Sequence, residues 1–393
     1  MRVLISAYAC EPGKGSEPGA GFATLLAALS EHEVWLVTRS NNIDALEASF
    51  SGHPARERLH LVGFDLGEKW LKTKKTLGAL GTLVYYDAWQ RRVAPLLRRL
   101  DAEHGFDVVH HATFASHWTR IGAASLGKPL VIGPVGGSGR TPLVLWPVLG
   151  LRGVAAELAR RIVRPIVSIA VRSRKAVESA AVVLLQNPTS LGSRGEGRTV
   201  LPNGLVGAFG VEEVPDQEPR QHQLVCVGRL IGLKGYRLAI EAMSHLKDTP
   251  YVLHIYGDGW DRRRLERLVR RRGLVGRVRF HGHVVRDHVL ASMASAGALL
   301  HPALHEESSV TVGEALALGT PVVCMNLAGP PELLDRWPGV PSRRIDPARP
   351  SVVARRIASA VVEVAGKRVD RNPAPARGFE AEVLAAYDAA ARS

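Results

Sequence analysis

The chain has 393 residues, 46% hydrophobic and 22% charged, which excludes a disordered, collagenous or low-complexity protein and sets two domains as the expectation. Its formal net charge of +14 suits an anionic partner such as a nucleotide diphosphate or a lipid headgroup, although an Arg-rich solvated surface gives the same count. Three scattered cysteines, Cys10, Cys226 and Cys324, exclude a disulfide framework and read as small buried apolar residues in a reducing, cytoplasmic compartment.

The first apolar run, residues 3–7, leads into Glu11-Pro12-Gly13-Lys14. It is too short for a secretory leader and reads as a first β-strand. No run of about 18 apolar residues follows, so no membrane-spanning helix is expected. Up to residue 200, strand-like runs at 3–7, 33–38, 59–64, 107–110, 130–133 and 182–186 alternate with helical patterns, among them 21–29, 84–100 and 160–180. Near-continuous Val/Ile/Leu runs are what parallel strands covered on both faces require, and the alternation implies βαβ units.

Pro202-Asn203-Gly204 is a turn signal, and a polar stretch over 212–223 follows it. The pattern then restarts with strands at 223–227, 252–256, 278–281, 298–301 and 322–325, and helices at 238–246, 262–272, 289–294 and 310–318. A last helix at 379–390 follows a Pro-rich break. The expected organisation is a first α/β domain over 1–205, a linker over 206–222, a second α/β domain over 223–372 and a C-terminal helix over 373–393 packed back on the first domain.

Open α/β sheets bind ligands beyond the carboxyl ends of their strands, so the residues just after strands carry the chemistry. Gly228-Arg229 ends one strand and Lys234 follows at the entrance to a helix. Glycine admits close backbone approach, and two cations can neutralise a diphosphate. Further on, Glu306 lies in a loop after a strand, Ser308 and Ser309 are good helix caps, and Glu314 falls inside the helix that begins at Val310. That helix start offers N–H groups and positive dipole to phosphate. Taken singly, each of these features is as common on solvated surface.

Taken in order, Gly-Arg-x4-Lys, Glu-x7-Glu-Ala and Gly319-Thr320-Pro321-Val322-Val323 closely resemble the retaining glycosyltransferases of family 4 (group 1). Tyr256-Gly257-Asp258-Gly259, the Gly-rich stretch from Ala7 to Gly21, Asp107-Val108-Val109-His110-His111 and Gly133-Pro134-Val135-Gly136-Gly137 fit the same family. The resemblance implies the α/β fold called GT-B, two Rossmann-like domains facing each other across a cleft. It implies that Arg229 and Lys234 bind the donor diphosphate, that Glu314 holds the ribose hydroxyls and that Glu306 faces the donor sugar. Gly19, Gly21 and Gly228 would let backbone approach the phosphates, His281 and His283 would lie against the base, and Ser308, Ser309 and Val310 would form the anion-binding helix start. His111 is the histidine offered to the sugar site, with His110 beside it and His117 as a further candidate.

Two departures touch the sugar pocket. Many members have Gly-Phe-Gly where this chain has Glu307, Ser308 and Ser309, and Ala112 stands where the family often has its histidine. The implied reaction is transfer of a sugar from a nucleotide-diphosphate sugar, most often a UDP-sugar, to a hydroxyl acceptor, with retention and with no metal or cofactor. The alternatives are a nucleotide-sugar epimerase of the same twin-domain fold and a sugar-nucleotide binding protein that has lost catalysis.

Rival motifs fail on their own terms. Gly13-Lys14-Gly15-Ser16 lacks the Ser/Thr and the first Gly of a P-loop, and Gly136-Gly137-Ser138-Gly139-Arg140 is not a nucleophile elbow. His281 and His283 have no Cys or carboxylate at zinc-site spacing. Two stretches, 69–75 and 146–174, mix Arg or Lys with apolar residues and suit peripheral contact with an anionic membrane. Aromatics are too few and too separate from the basic runs for nucleic-acid binding.

Overall fold

The computed structural model describes residues 1–114, 116–171, 173–192, 198–208 and 210–393. The first six strands are β1 (Arg2–Ala7), β2 (Glu33–Thr38), β3 (Leu59–Gly63), β4 (Val108–Thr113), β5 (Leu130–Val135) and β6 (Val182–Leu185). Between them run α1 (Ser16–Glu31), α2 (Ile43–Phe50), α3 (Glu68–Thr76), α4 (Gly78–His104), α5 (Trp146–Val171) and α6 (Ser173–Glu178). The second six are β7 (Arg220–Val227), β8 (Val252–Tyr256), β9 (Val278–Gly282), β10 (Ala296–His301), β11 (Val322–Met325) and β12 (Ser342–Ile345). Their helices are α7 (Tyr236–Met243), α8 (Arg262–Arg271), α9 (Arg286–Ser295), α10 (Val310–Ala317), α11 (Gly329–Arg336), α12 (Pro350–Val364) and α13 (Ala374–Ala391).

Each set of strands forms one parallel sheet, in the orders β3-β2-β1-β4-β5-β6 and β12-β11-β10-β7-β8-β9. Numbered within its own sheet, the second is the first read from the opposite edge. Both are doubly wound sheets in which the first strand lies beside the fourth, and the order reverses there. The central strands follow the expected burial. Every residue of β4, β5 and β10 is buried. Helices differ in how much they bury: α10 buries every residue from Val312 to Ala317, whereas others bury one stripe. On the Arg-rich α8 only Leu265, Leu268 and Val269 are buried, the one-sided pattern of a helix lying on a sheet.

The chain divides into two compact units, Met1–Ser138 with Ile162–Leu201 and Gly378–Ser393, and Gly139–Arg161 with Pro202–Arg377. Residues 139–161, expected in the first domain, therefore group with the second. Leu145, Val148 and Leu149 are the reason: they are buried in the core that includes Leu230, Leu238 and Leu265. Arg264 and Arg237 donate to the carbonyls of Val148 and Pro147 at 3.1 and 2.8 Å. A side chain on Gly232 would meet the Leu149 carbonyl at 2.2 Å. Gly150, at φ 69° and ψ 169°, breaks α5 just after this trio.

The expected linker is not a free tether either. Asn203–Ala208 is a helical turn against α10, Val211 is fully buried, and the strand already begins at Arg220. The change of unit falls at Leu201–Pro202. The final helix contributes Phe379, Val383 and Tyr387, all fully buried, to the core of the first unit. Arg172, inside the helix expected over 160–180, lies outside the described residues.

Candidate functional site

In the second unit the first and fourth strands of the sheet are β7 and β10, and the groups singled out by sequence stand at their carboxyl ends. After β7 the backbone turns at Gly228 (φ 132°), whose N–H donates to the Tyr256 carbonyl at 3.0 Å. The Gly257 N–H donates to the Gly282 carbonyl at 2.7 Å, so the ends of β7, β8 and β9 are laced together by glycines. Arg229 follows, exposed, with no side-chain partner among the described residues.

The single turn Gly232–Lys234 then leads through Gly235 into α7. Gly235 has φ 65°, and a Cβ there would lie 1.9 Å from the Pro302 carbonyl. Only glycine permits both the left-handed backbone and that approach. The contact fixes the turn after β7 against the loop after β10, and the Leu304 N–H donates to the Leu233 carbonyl at 2.7 Å.

This brings Lys234 and Glu306 together. The Lys234 ammonium is hydrogen-bonded to Glu306 Oε2, and its Cε passes 3.7 Å from the position of a Cβ on Gly228. His301, fully inside at the end of β10, places Nε2 3.7 Å from the same carboxylate oxygen. Burial pushes the Glu306 carboxyl up, but Lys234 and His301 pull it down further, to about 2. Glu306 is therefore an anion at any neutral pH. The switch point of the sheet holds one fixed carboxylate, one cation paired to it and one exposed cation.

The α10 start explains the Glu307-Ser308-Ser309 departure. Ser309 Oγ accepts from the Val312 N–H at 3.3 Å, an N-cap, and Ser308 Oγ accepts from the Gly204 N–H at 2.7 Å. Glu307 Oε1 accepts from the Gly139 N–H at 2.7 Å. Each polar side chain in place of the family's Gly-Phe-Gly thus serves a backbone donor within the unit. The N–H groups of Val310 and its neighbour open the helix without intrahelical partners, as any helix start must. Glu314 is buried within α10 and paired with Arg286 at 2.8 Å. Burial pushes its pKa up while Arg286 opposes this.

At the ends of β8 and β9, Nε2 of His281 lies 2.9 Å from Nδ1 of His254. The His281 ring stacks on Tyr256 at 4.5 Å and 13°. Burial, then the neighbouring His281 and arginines, push His254 down to about 4. At neutral pH a neutral His254 forms the hydrogen bond to His281 that fixes this flat aromatic shelf. His283, one residue past Gly282, is exposed.

The first unit does not present its candidates as expected. Gly19 and Gly21 do not line a loop: α1 already starts at Ser16, and both are buried within it. A Cβ on Gly21 would meet the Ala9 carbonyl at 2.2 Å, so this glycine serves helix packing. His111 is fully buried, with Nε2 3.2 Å from Tyr86 Oη, and burial pushes its pKa far down, to about 3. His110 is equally buried, between Tyr387 Oη at 2.8 Å and the Gly133 carbonyl at 2.9 Å. Neither ring is displayed to a ligand. His117 is half-buried, with Nδ1 3.2 Å from the Gly136 carbonyl.

Sequence reasoning missed three residues of the second unit: His301 behind Glu306, Arg286 on Glu314, and Tyr236. The Tyr236 hydroxyl is buried 3.0 Å from the Cβ position of Gly228 and has no partner among the described residues. His301 had one signal, its place at a strand end. Arg286 and Tyr236 had none, being ordinary residues of helix starts.

The model of the family described as glycosyl transferases group 1 matches residues 212–361. A 2-deoxystreptamine glucosyltransferase of Streptomyces kanamyceticus is 32% identical over 151 residues, 38% of this chain and 36% of that protein. The chain spans about a third of the length of the curated relatives it matches. Among solved structures, WaaG, a glycosyltransferase involved in lipopolysaccharide biosynthesis, is 17% identical with a TM-score of 0.53, covering 98% of this chain and 95% of its own. Anabaena Alr3699/HepE in complex with UDP is 17% identical with a TM-score of 0.52, covering 98% and 97%. The fold is GT-B, and the segment that carries Arg229, Lys234, Glu306 and Glu314 matches the family of group 1 glycosyl transferases.

Proposed function

We propose that this chain is a retaining glycosyltransferase that moves a sugar from a nucleotide-diphosphate sugar, a UDP-sugar first, to a hydroxyl acceptor without a metal or cofactor. The observation that carries the reading is the Lys234–Glu306 pair at the β7–β10 switch point beside an unpartnered Arg229. A diphosphate offers these two cations their missing or shared anion. The α10 start supplies N–H groups to the same kind of ligand. UDP in the Anabaena neighbour supports the choice of base, and the names of the relatives support transfer over epimerisation.

In this reading the anomeric carbon loses its diphosphate through an oxocarbenium-like state. Arg229 and Lys234 stabilise the charge that builds on the leaving group, electrostatics set in place before reaction. Glu306 keeps Lys234 oriented and faces the cationic sugar, and Glu314 takes the ribose diol. The acceptor hydroxyl attacks from the face the diphosphate leaves and gives its proton to the departing diphosphate oxygen. The acceptor belongs to polysaccharide, glycolipid or natural-product synthesis.

Peripheral contact with an anionic membrane is part of the proposal. Ile162, Ile166 and Ile169 form one exposed stripe along α5, with Ile169 80% exposed. No helix among the described residues is long and apolar enough to cross a membrane. The test is product analysis of UDP-sugars incubated with and without a broad acceptor pool. Acceptor-dependent release of UDP, lost in Arg229→Ala, is expected; turnover of donor alone would reveal an epimerase, and unchanged turnover in Arg229→Ala would sink the assignment.

A further inference from the structure

The first unit carries a charged cluster that the proposed donor chemistry leaves unused. It stands at the carboxyl ends of three adjacent strands: Tyr8 follows β1, Arg39 follows β2 and Asp65 comes two residues after β3. Lys74 reaches it from α3 and Tyr85 from α4. Arg39 Nε donates to Asp65 Oδ1 at 2.8 Å, and Tyr85 Oη donates to the same oxygen at 2.8 Å. The Ser40 N–H takes Oδ2 at 3.1 Å. Lys74 Nζ donates to Tyr8 Oη at 3.0 Å. Both cations lie over both rings, Arg39 at 5.6 and 5.4 Å and Lys74 at 5.4 and 5.2 Å from the Tyr8 and Tyr85 centroids.

The charges do not balance. Two cations face one carboxylate, and that carboxylate is already shared among Arg39, Tyr85 and Ser40. Among the described residues no carboxylate lies within ion-pair distance of Lys74. Burial and Arg39 push the Lys74 pKa down, so the ammonium sits at a cost that a neutral side chain of similar length would avoid. The place is also the one where open sheets bind ligands. Tyr8 follows the first strand, its N–H donates to the Thr113 carbonyl of the fourth at 3.1 Å, and the strand order reverses between them.

We propose that Lys74, with Arg39 behind it, binds the anionic group of the acceptor, a phosphate or carboxylate carried by a sugar. The proposal rests on the transferase reading for the word acceptor. An ammonium is a compact point charge that serves either oxyanion, and Tyr8 and Tyr85 hold the two like charges close through their ring faces. The three lysines flanking Lys74 on α3, Lys69, Lys72 and Lys75, are exposed and raise the local positive potential toward such a ligand.

The test uses the full chain carrying Arg229→Ala and Lys234→Ala, which removes the proposed donor site. Glucose 6-phosphate, glucuronate and neutral glucose are titrated by calorimetry. Binding of one or both anionic sugars, no binding of glucose, and about tenfold weaker binding on adding Lys74→Gln are expected, with Lys72→Gln near unchanged. Preference between phosphate and carboxylate names the anion. Equal binding in Lys74→Gln, or glucose binding as well as the anions, would overturn the proposal. Protection of Lys74 from acetylation by the anionic sugar, followed by peptide mass spectrometry in the unsubstituted chain, needs no substitution at Lys74, and absence of protection would overturn it too. UDP binding to the unsubstituted chain is measured alongside: its absence contradicts the donor reading and leaves the anion site standing.

Discussion

The two sheets share one strand order, yet the groups at their carboxyl ends differ in kind. In the second unit, glycine turns lace the strand ends and a paired carboxylate and lysine stand at the switch point, with most of the set contained in two short sequence runs. In the first unit the corresponding edge is aromatic, with Tyr8 and Tyr85, its His110 and His111 are buried as core residues, and its charges come singly from Arg39, Asp65 and Lys74. Under the proposed function the same topology would serve two uses. A diphosphate is a constant ligand that a compact motif can hold, whereas a variable ligand is met by side chains gathered from many elements.

The largest effect should come from the close backbone approach of the second unit. Gly235→Val forces a β-branched residue into φ 65° and drives Cβ into the Pro302 carbonyl. A loss of about 4 kcal/mol of stability, or no soluble protein, is expected in denaturant unfolding. A variant of wild-type stability would mean that the β7 and β10 loops are not held together as described.

His110→Ala probes the first unit in the same way. It removes the partner of Tyr387 Oη and of the Gly133 carbonyl in a fully buried place. A cost of about 2–3 kcal/mol with unchanged nucleotide affinity is expected. Loss of nucleotide binding at unchanged stability would return the histidine to a ligand role.

Glu306 and Glu17 should also answer pH with opposite sign. Glu306 is held at about 2, below the ordinary carboxylate range, so its stabilisation is complete above that range and is lost as pH falls through about 2. Glu17 on α1 is pushed up to about 7 by burial. The folded chain then keeps its proton where the unfolded chain has lost it, so stability falls as pH rises from the ordinary carboxylate range to about 7. Glu17→Gln should flatten the decline between about pH 5 and 7, and Glu306→Gln the loss below about pH 4, in unfolding measured at stepped pH. Two slopes of the same sign would contradict the contrast. The smallest effect is expected from Ser309→Ala, about 1 kcal/mol for the α10 cap, read as a shift in the urea midpoint.

Much of the second unit was legible because its strands and helices are short, apolar and sharply bounded. The runs at 252–256 and 322–325 coincide with β8 and β11, and 310–318 with α10 to within a residue. β12 escaped because the exposed Arg343 and Arg344 occupy half of a four-residue edge strand. Residues 139–161 escaped because their place is decided by the tertiary packing of Leu145, Val148 and Leu149, which periodicity does not encode. The candidate site was legible as a linear motif, but not its supports. His301, Arg286 and Tyr236 act through contacts made only in three dimensions. The first-unit cluster was least legible, since no two of its members stand close enough in sequence to form a motif, and Lys74 was one of several lysines on a basic helix.

The central claim is that the β7–β10 switch point holds a nucleoside diphosphate between Arg229, Lys234 and the start of α10. Calorimetric titration with UDP, GDP, ADP and TDP, beside Arg229→Ala, tests it most directly. The account predicts binding of one diphosphate, UDP first, weakened at least tenfold in the variant by loss of a charged hydrogen-bonding partner. Binding of none of the four, or equal binding by Arg229→Ala, would contradict it.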